Sequence, residues 1–168
     1  MSKALQLDFS LNDYREGYED NICLHHYPVT QRAERNPAHK DFGILTLLIQ
    51  EDATSSNGLE VADLTSTDAR SSKRINESAR FVPVYPAADE ITVLAGISLQ
   101  KLAERAAVAP SVHRVVTTLS THSEQGTWLP RYSIAYFVHP DPKSKLDIRG
   151  ETAGDYLRRR RKISHIPS

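Results

Sequence analysis

His39 and Asp41 stand two positions apart in the stretch His39-Lys40-Asp41-Phe42-Gly43-Ile44-Leu45-Thr46-Leu47-Leu48. In an extended chain, side chains two apart point to one side. An imidazole and a carboxylate can therefore grip one cation from the same face. His113, in His113-Arg114-Val115-Val116, is the candidate third ligand. Two histidines and one carboxylate on one face of a metal leave its other positions open, which is the donor set of non-haem Fe(II) oxygenases. Zinc is more often enclosed by four ligands, or held by three with one water. The plainer reading is that histidines beside strands are simply hydrogen-bonded in place; on spacing alone both readings stand.

A second constellation lies at Arg131-Tyr132-Ser133, where a strand begins. Alternation puts Arg131 and Ser133 on one face and Tyr132 on the other. A guanidinium beside a hydroxyl makes a bidentate carboxylate receptor. Such a receptor suits the distal carboxylate of a 2-oxo acid whose other end binds a metal. In isolation, an Arg and a Ser at a strand end are more simply solvated.

These residues need a scaffold of strands. Ile22 to Tyr27 is strand-like and is stopped by Pro28. Gln31 to Ala38 is polar, contains Pro37 and reads as a loop into His39. Phe42 to Ile49 is a nearly continuous apolar run, as in a strand buried on both faces. Gly58 to Val61, Arg80 to Tyr85, Glu90 to Ala95, Ser111 to Leu119 and Arg131 to His139 continue the strand pattern. Leu99 to Ala107 reads either as a helical turn or as a strand with a hairpin loop. Residues 63–78 are rich in Ser, Thr, Asp, Arg and Asn, and a mobile surface loop is expected there. Residues 1–20 read as a helical lead-in, and 150–163 as a C-terminal helix with Asp155 early and arginines late. Short strands between turns, with helices at the two ends, predict a mainly β jelly roll in a single domain over 1–168, with the roll itself at 21–140.

The 168 residues suffice for one domain with a real core. Formal charge is zero, so no basic field points to nucleic acid. The single cysteine, Cys23, excludes an internal disulfide and a Cys-rich zinc module; a buried structural thiol is expected. No signal peptide and no membrane span is legible. A soluble, cytoplasmic protein is expected, in a compartment whose reducing potential suits Fe(II).

The ordered segments resemble the C-terminal catalytic domain of the isopenicillin N synthase-like Fe(II)- and 2-oxoglutarate-dependent dioxygenases. They are Cys23-Leu24-His25-His26-Tyr27-Pro28, His39 to Leu48 with Gln50, Gly58 to Val61, Val112 to Val116, Arg131 to Phe137, and Thr152 to Leu157. The resemblance covers nearly the whole chain. It implies a double-stranded β-helix, iron ligands at His39, Asp41 and His113, and 2-oxoglutarate held by Arg131 and Ser133 with Tyr27 as a further donor. The implied cofactors are Fe(II), 2-oxoglutarate and molecular oxygen. The implied activity is hydroxylation, desaturation or ring formation on a small organic molecule, often in specialised metabolism.

Three departures are visible. Family members are about twice as long, and their N-terminal half packs on the jelly roll, so apolar surface left uncovered here could drive self-association. Gly96-Ile97 stands where the family usually has Gly-Asp, and the 63–78 stretch is longer than the family's turn. An oxidase of the same fold that uses no 2-oxo acid, and a catalytically silent binding module, are the competing readings. Among other candidates, adjacent His25 and His26 must face opposite sides, with one able to line the pocket. His122, His139 and His165 read as solvated, and Trp128 as a pocket cover or a core aromatic. The basic run Arg158 to Lys162 reads as the solvated face of the last helix.

Overall fold

The computed structural model describes residues 10–14, 20–50, 58–87, 89–103, 108–117, 130–146 and 150–164. Among the described residues, eight strands form two four-stranded antiparallel sheets. They are β1 (Asn21–Tyr27), β2 (Glu34–His39), β3 (Leu45–Gln50), β4 (Leu59–Asp63), β5 (Arg80–Pro83), β6 (Thr92–Ala95), β7 (His113–Val116) and β8 (Arg131–Val138). One sheet runs β1-β8-β3-β6 and the other β2-β7-β4-β5. Successive strands thus alternate largely between sheets, as in a jelly roll, and the predicted double-stranded β-helix is what the chain forms.

Between the sheets, Leu48 and Ala135 from one side meet Leu59 from the other, all buried. Helix α1 (Ser72–Ser78) lays Ile75 against Ala38, Ala62 and Val112 on the back of the β2-β7-β4-β5 sheet. Helix α2 (Ile97–Leu102) puts Leu99 on Leu45 and Val138, at one end of the back of the other sheet. Helix α3 (Ala153–Ser164) buries Tyr156 against Leu146, next to Phe42 and Ile97. Its Arg158, Arg159 and Arg160 are exposed, and the first two pair with Asp155 and Glu151. The basic run is therefore a solvated face as far as it is described.

Four expectations need correction. Gln31 to Ala38 is not simply a loop, because β2 occupies most of it. Pro37 is tolerated there because β2 is an edge strand whose register with β7 shifts between Glu34 and Asn36 and again between Asn36 and His39. Residues 63–78 are not an unstructured loop. Asp63 caps a 3-10 turn over Leu64–Ser66, Ser71 caps α1, and Ile75 is 2% exposed. One isoleucine among polar residues gives no periodicity to read, yet it is enough to dock a short helix. The strand expected from Phe42 begins only at Leu45, since the preceding carbonyls have another task. His139 is not solvated but packs against Phe42 and Phe137. Of the helical lead-in, the described part is a 3-10 turn over Leu11–Tyr14. His122, Trp128 and His165 lie outside the described residues.

That other task concerns α2. Gly96 precedes the helix and offers no side-chain cap. Instead the Ile97 N–H donates to the Asp41 carbonyl (2.8 Å), and the Ser98 hydroxyl donates to the Phe42 carbonyl (2.7 Å). Helix and bend approach so closely that a Cβ on Gly96 would meet the Gly43 carbonyl oxygen at 1.9 Å. The departure Gly96-Ile97 therefore sits at a clamp made by backbone, while the Ile97 side chain packs beside Tyr156.

Candidate metal centre and carboxylate receptor

His39 ends β2, His113 begins β7, and the two are direct cross-strand partners. Their rings lie 4.2 Å apart, centre to centre. Asp41 follows in the bend that carries the chain from one sheet to the other. His39 Nε2 lies 3.7 Å from Asp41 Oδ1, and His113 Nε2 lies 3.9 Å from Asp41 Oδ2. The three donor atoms fall within 4.8 Å of one another.

Both histidines turn the same ring edge toward the cluster. His39 Nδ1 pairs with the Pro37 carbonyl (2.8 Å), and His113 Nδ1 with the Ser111 carbonyl (3.1 Å). A carbonyl only accepts, so each ring carries its proton on Nδ1 and turns the Nε2 lone pair to the site. Burial holds the His113 pKa below its ordinary 6.5; Asp41 opposes this and His39 reinforces it. His113 is thus kept in the neutral form that ligates. The Thr46 hydroxyl, 2% exposed, donates to Asp41 Oδ2 at 2.6 Å, leaving Oδ1 on the His39 side. The His39 side chain is 37% exposed against 8% for His113, so the site opens past His39. Two imidazoles that turn Nε2 inward and a carboxylate held by Thr46, open on one side, fit a resident Fe(II).

Strand β8 carries the second half of the site. Arg131 and Ser133 are 3% and 6% exposed, both turned inward. Arg131 Nη1 donates to Ser133 Oγ (2.9 Å), and Nη2 to Gln50 Oε1 (2.7 Å). Gln50 is itself held by its Nε2 donating to Thr92 Oγ1 (3.2 Å). Tyr27 is the register partner of Arg131, its ring centre 5.1 Å from the guanidinium carbon. His25 lies opposite Ser133 and lines the cavity, whereas His26 stacks outside on Tyr132 at 4.5 Å. Cys23 is half-buried on the inward side of the same strand.

All six anticipated site residues line one cavity. His39, Asp41, His113, Tyr27, Arg131 and Ser133 share about 440 Å³ of empty space open to solvent. Leu48, Leu59, Leu94, Val115, Ala135 and Phe137 supply its apolar wall. An apolar wall with a few convergent polar groups is the chemistry of a small-ligand pocket. Thr46 and Gln50 lie in segments quoted for the resemblance, but their contacts to Asp41 and Arg131 were not anticipated. Both sit inside an apolar strand, where a hydroxyl or amide needs a buried partner. That is the signal that could have found them.

The family described as the 2OG-Fe(II) oxygenase superfamily matches residues 18–140. Two curated relatives from Aspergillus rugulosus are the 2-oxoglutarate-dependent dioxygenases ecdG and htyE. The first is 30% identical over 93% of this chain and 44% of its own length; the second is 32% identical over 90% and 44%. A full-length Neurospora crassa protein, solved in complex with alpha-KG, superposes with a TM-score of 0.69 at 25% identity, covering 95% of this chain and 50% of that one. The chain thus spans about half the length of the proteins it matches.

Proposed function

The chain belongs to the 2OG-Fe(II) oxygenase superfamily, and from that premise we propose that it is the catalytic domain of a dioxygenase that oxidises a small organic molecule by hydroxylation, desaturation or ring formation. The observation that carries this reading is the single cavity shared by the His39–Asp41–His113 cluster and the Arg131–Ser133 pair. A metal cluster alone would fit many hydrolases. A buried, preorganised guanidinium in the same cavity selects for a co-substrate with a distal carboxylate.

In this reading His39 Nε2, Asp41 Oδ1 and His113 Nε2 hold Fe(II). The iron supplies oxygen activation coupled to oxidative decarboxylation of the 2-oxo acid. Arg131 receives the distal carboxylate through a two-pronged contact, Ser133 adds a hydroxyl and Tyr27 a phenol. Gln50 fixes the guanidinium, so little side-chain freedom is lost when the carboxylate docks. Thr46 holds Asp41 in one orientation. The apolar wall of Leu48, Leu59, Leu94, Val115, Ala135 and Phe137 leaves water access only from the open side, past His39. Among the described residues no helix is long and apolar enough to cross a membrane.

The test is anaerobic. Fe(II) is added to the protein, then 2-oxoglutarate, and the visible absorption of the chelate is followed. The band is expected in the wild type, absent in Arg131→Ala with Fe(II) binding retained, and absent in Asp41→Ala with Fe(II) binding lost. Iron binding with no band in the wild type would select an oxidase that uses no 2-oxo acid. Failure to bind iron would select a non-catalytic binding module.

A further inference from the structure

Strand β2 breaks its own alternation beside the metal cluster. Glu34 and Ala38 both face α1 on the outside of the roll. Glu34 Oε1 accepts from Asn76 Nδ2 (3.1 Å), and Ala38 packs with Ile75. Regular alternation would place Asn36 between them on that outer face. Instead the register with β7 shifts on either side of Asn36, and Asn36 lines the inner cavity together with His39. An irregularity of this kind re-aims a side chain and recurs next to active sites. The other polar groups of the cavity already have tasks. His39, Asp41 and His113 form the metal cluster, and the Thr46 hydroxyl is taken by Asp41. Arg131, Ser133 and Tyr27 form the receptor on the other sheet, with His25 opposite Ser133 at the same end. Asn36 stands on the strand of His39, the ligand on the open side. It is half-buried, and among the described residues no protein group bonds to its carboxamide. A polar group turned into a cavity needs a partner from whatever fills that cavity.

Resting on the reading of this cavity as a dioxygenase site, we propose that Asn36 orients the molecule to be oxidised, and that this molecule carries a ring amide, as in a lactam or cyclic imide. A carboxamide presents a carbonyl acceptor and an N–H donor side by side in one plane. A ring amide presents the complementary donor and acceptor, so two parallel hydrogen bonds form, as asparagine makes to the edge of adenine. A ketone or an ether accepts from the Asn36 amide and leaves the Asn36 carbonyl unpaired. An anion is disfavoured at this end, because the guanidinium of the cavity, Arg131, is held on the other sheet by Gln50 and Ser133. The rest of the ring meets an apolar wall. Val115 is the register partner of Asn36, and Leu59 that of Val115, and both line the cavity. Asn36 therefore acts on the orientation of the substrate, and not on the iron or the 2-oxo acid.

The test uses small probes. δ-Valerolactam and glutarimide carry the amide edge; cyclohexanone is a ring of the same size with a carbonyl and no N–H. Binding is read by saturation-transfer NMR on the full chain, with Zn(II) in place of iron and 2-oxoglutarate present, so that no turnover is needed. The lactam and the imide are expected to bind about tenfold more tightly than cyclohexanone, since a site built to hydrogen-bond a group rejects the analogue that lacks it. Asn36→Leu should erase that difference, with the thermal melt, the Fe(II) affinity and the anaerobic 2-oxoglutarate band unchanged. Asn36→Ala is the second variant, because leucine has to fit beside the bulge and alanine does not fill it; the same loss is expected. Equal binding of the three rings, no binding of the lactam and the imide, or a difference kept in both variants would overturn the proposal. So would loss of Fe(II) affinity in both variants, which would make Asn36 a structural part of the β2–β7 pairing. Absence of the 2-oxoglutarate band in the wild type would overturn the dioxygenase reading and this one with it. With the band present, a failure falls on the role of Asn36 alone.

Discussion

Thr46→Val is the sharpest probe of how this site is held. Valine keeps the volume and branching of threonine and removes only the hydroxyl that donates to Asp41 Oδ2 at 2.6 Å. The donor is 2% exposed and the acceptor's side chain 10% exposed, so no solvent replaces the lost contact. A hydrogen bond to a charged group contributes about 1.5–3 kcal/mol net. If that energy orients the ligand, its loss weakens metal binding by about ten- to a hundredfold, at 1.4 kcal/mol per decade. The same range is typical when an outer partner of a metal ligand is removed. Anaerobic calorimetry with Fe(II), repeated with Mn(II), reads this directly and needs no turnover. Thr46→Ser keeps the hydroxyl and loses one buried methyl, a stability cost of about 1 kcal/mol. Its metal affinity should stay within about threefold of the wild type. The reasoning fails if Thr46→Val binds metal as well as the wild type, or if serine loses as much as valine. Either result would mean that the clamp on the Asp41–Gly43 backbone, and not the Thr46 hydroxyl, orients the carboxylate.

Three further outcomes are expected. Gln50→Leu removes the acceptor for Arg131 Nη2 and should weaken 2-oxoglutarate binding about tenfold, with Fe(II) affinity unchanged, because one hydrogen bond to a charged group is lost. Titration of the anaerobic visible band measures the first and calorimetry the second. Ile75→Ala empties a 2%-exposed position beneath α1 and should cost about 2–5 kcal/mol in urea unfolding; an effect below about 0.5 kcal/mol would mean that the 63–78 stretch does not dock as a helix. In the metal-free protein, His113 in the fold has a pKa below 6.5, whereas in the unfolded chain it titrates near that value. Below 6.5 the unfolded state therefore binds more protons, so stability should fall on acidification from 6.5 toward the depressed value and level off above 6.5. The urea midpoint measured with a chelator should follow this slope, and His113→Gln should flatten it. A midpoint that rises on acidification contradicts the assignment.

The outline of the site was legible because its parts are local. His39 and Asp41 are two residues apart, Arg131 and Ser133 two apart in one strand, and each pair shares a face by backbone geometry alone. The strands were legible for the same reason, as runs of β-branched and apolar residues between turns. What was missed depends on partners far away in the chain. Pro37 looks like a strand breaker until β2 is known to be an edge. Ile75 looks stranded until Ala38, Ala62 and Val112 are brought under it. Phe42 to Ile44 looks like the start of a strand until α2, more than fifty residues on, takes its carbonyls as a cap.

Residue types and spacing, by themselves, offered a candidate donor set, a candidate carboxylate receptor and a mainly β jelly roll. Only the tertiary structure decided that the donors and the receptor face one cavity, since His113 reaches His39 through β2–β7 pairing and Arg131 reaches Gln50 through β3–β8 pairing. It also decided which groups stiffen the site, Thr46 on Asp41 and Gln50 on Arg131. Alternation along a strand says which side chains share a face. It does not say what the opposite face meets, because that depends on contacts closed only when the whole roll assembles.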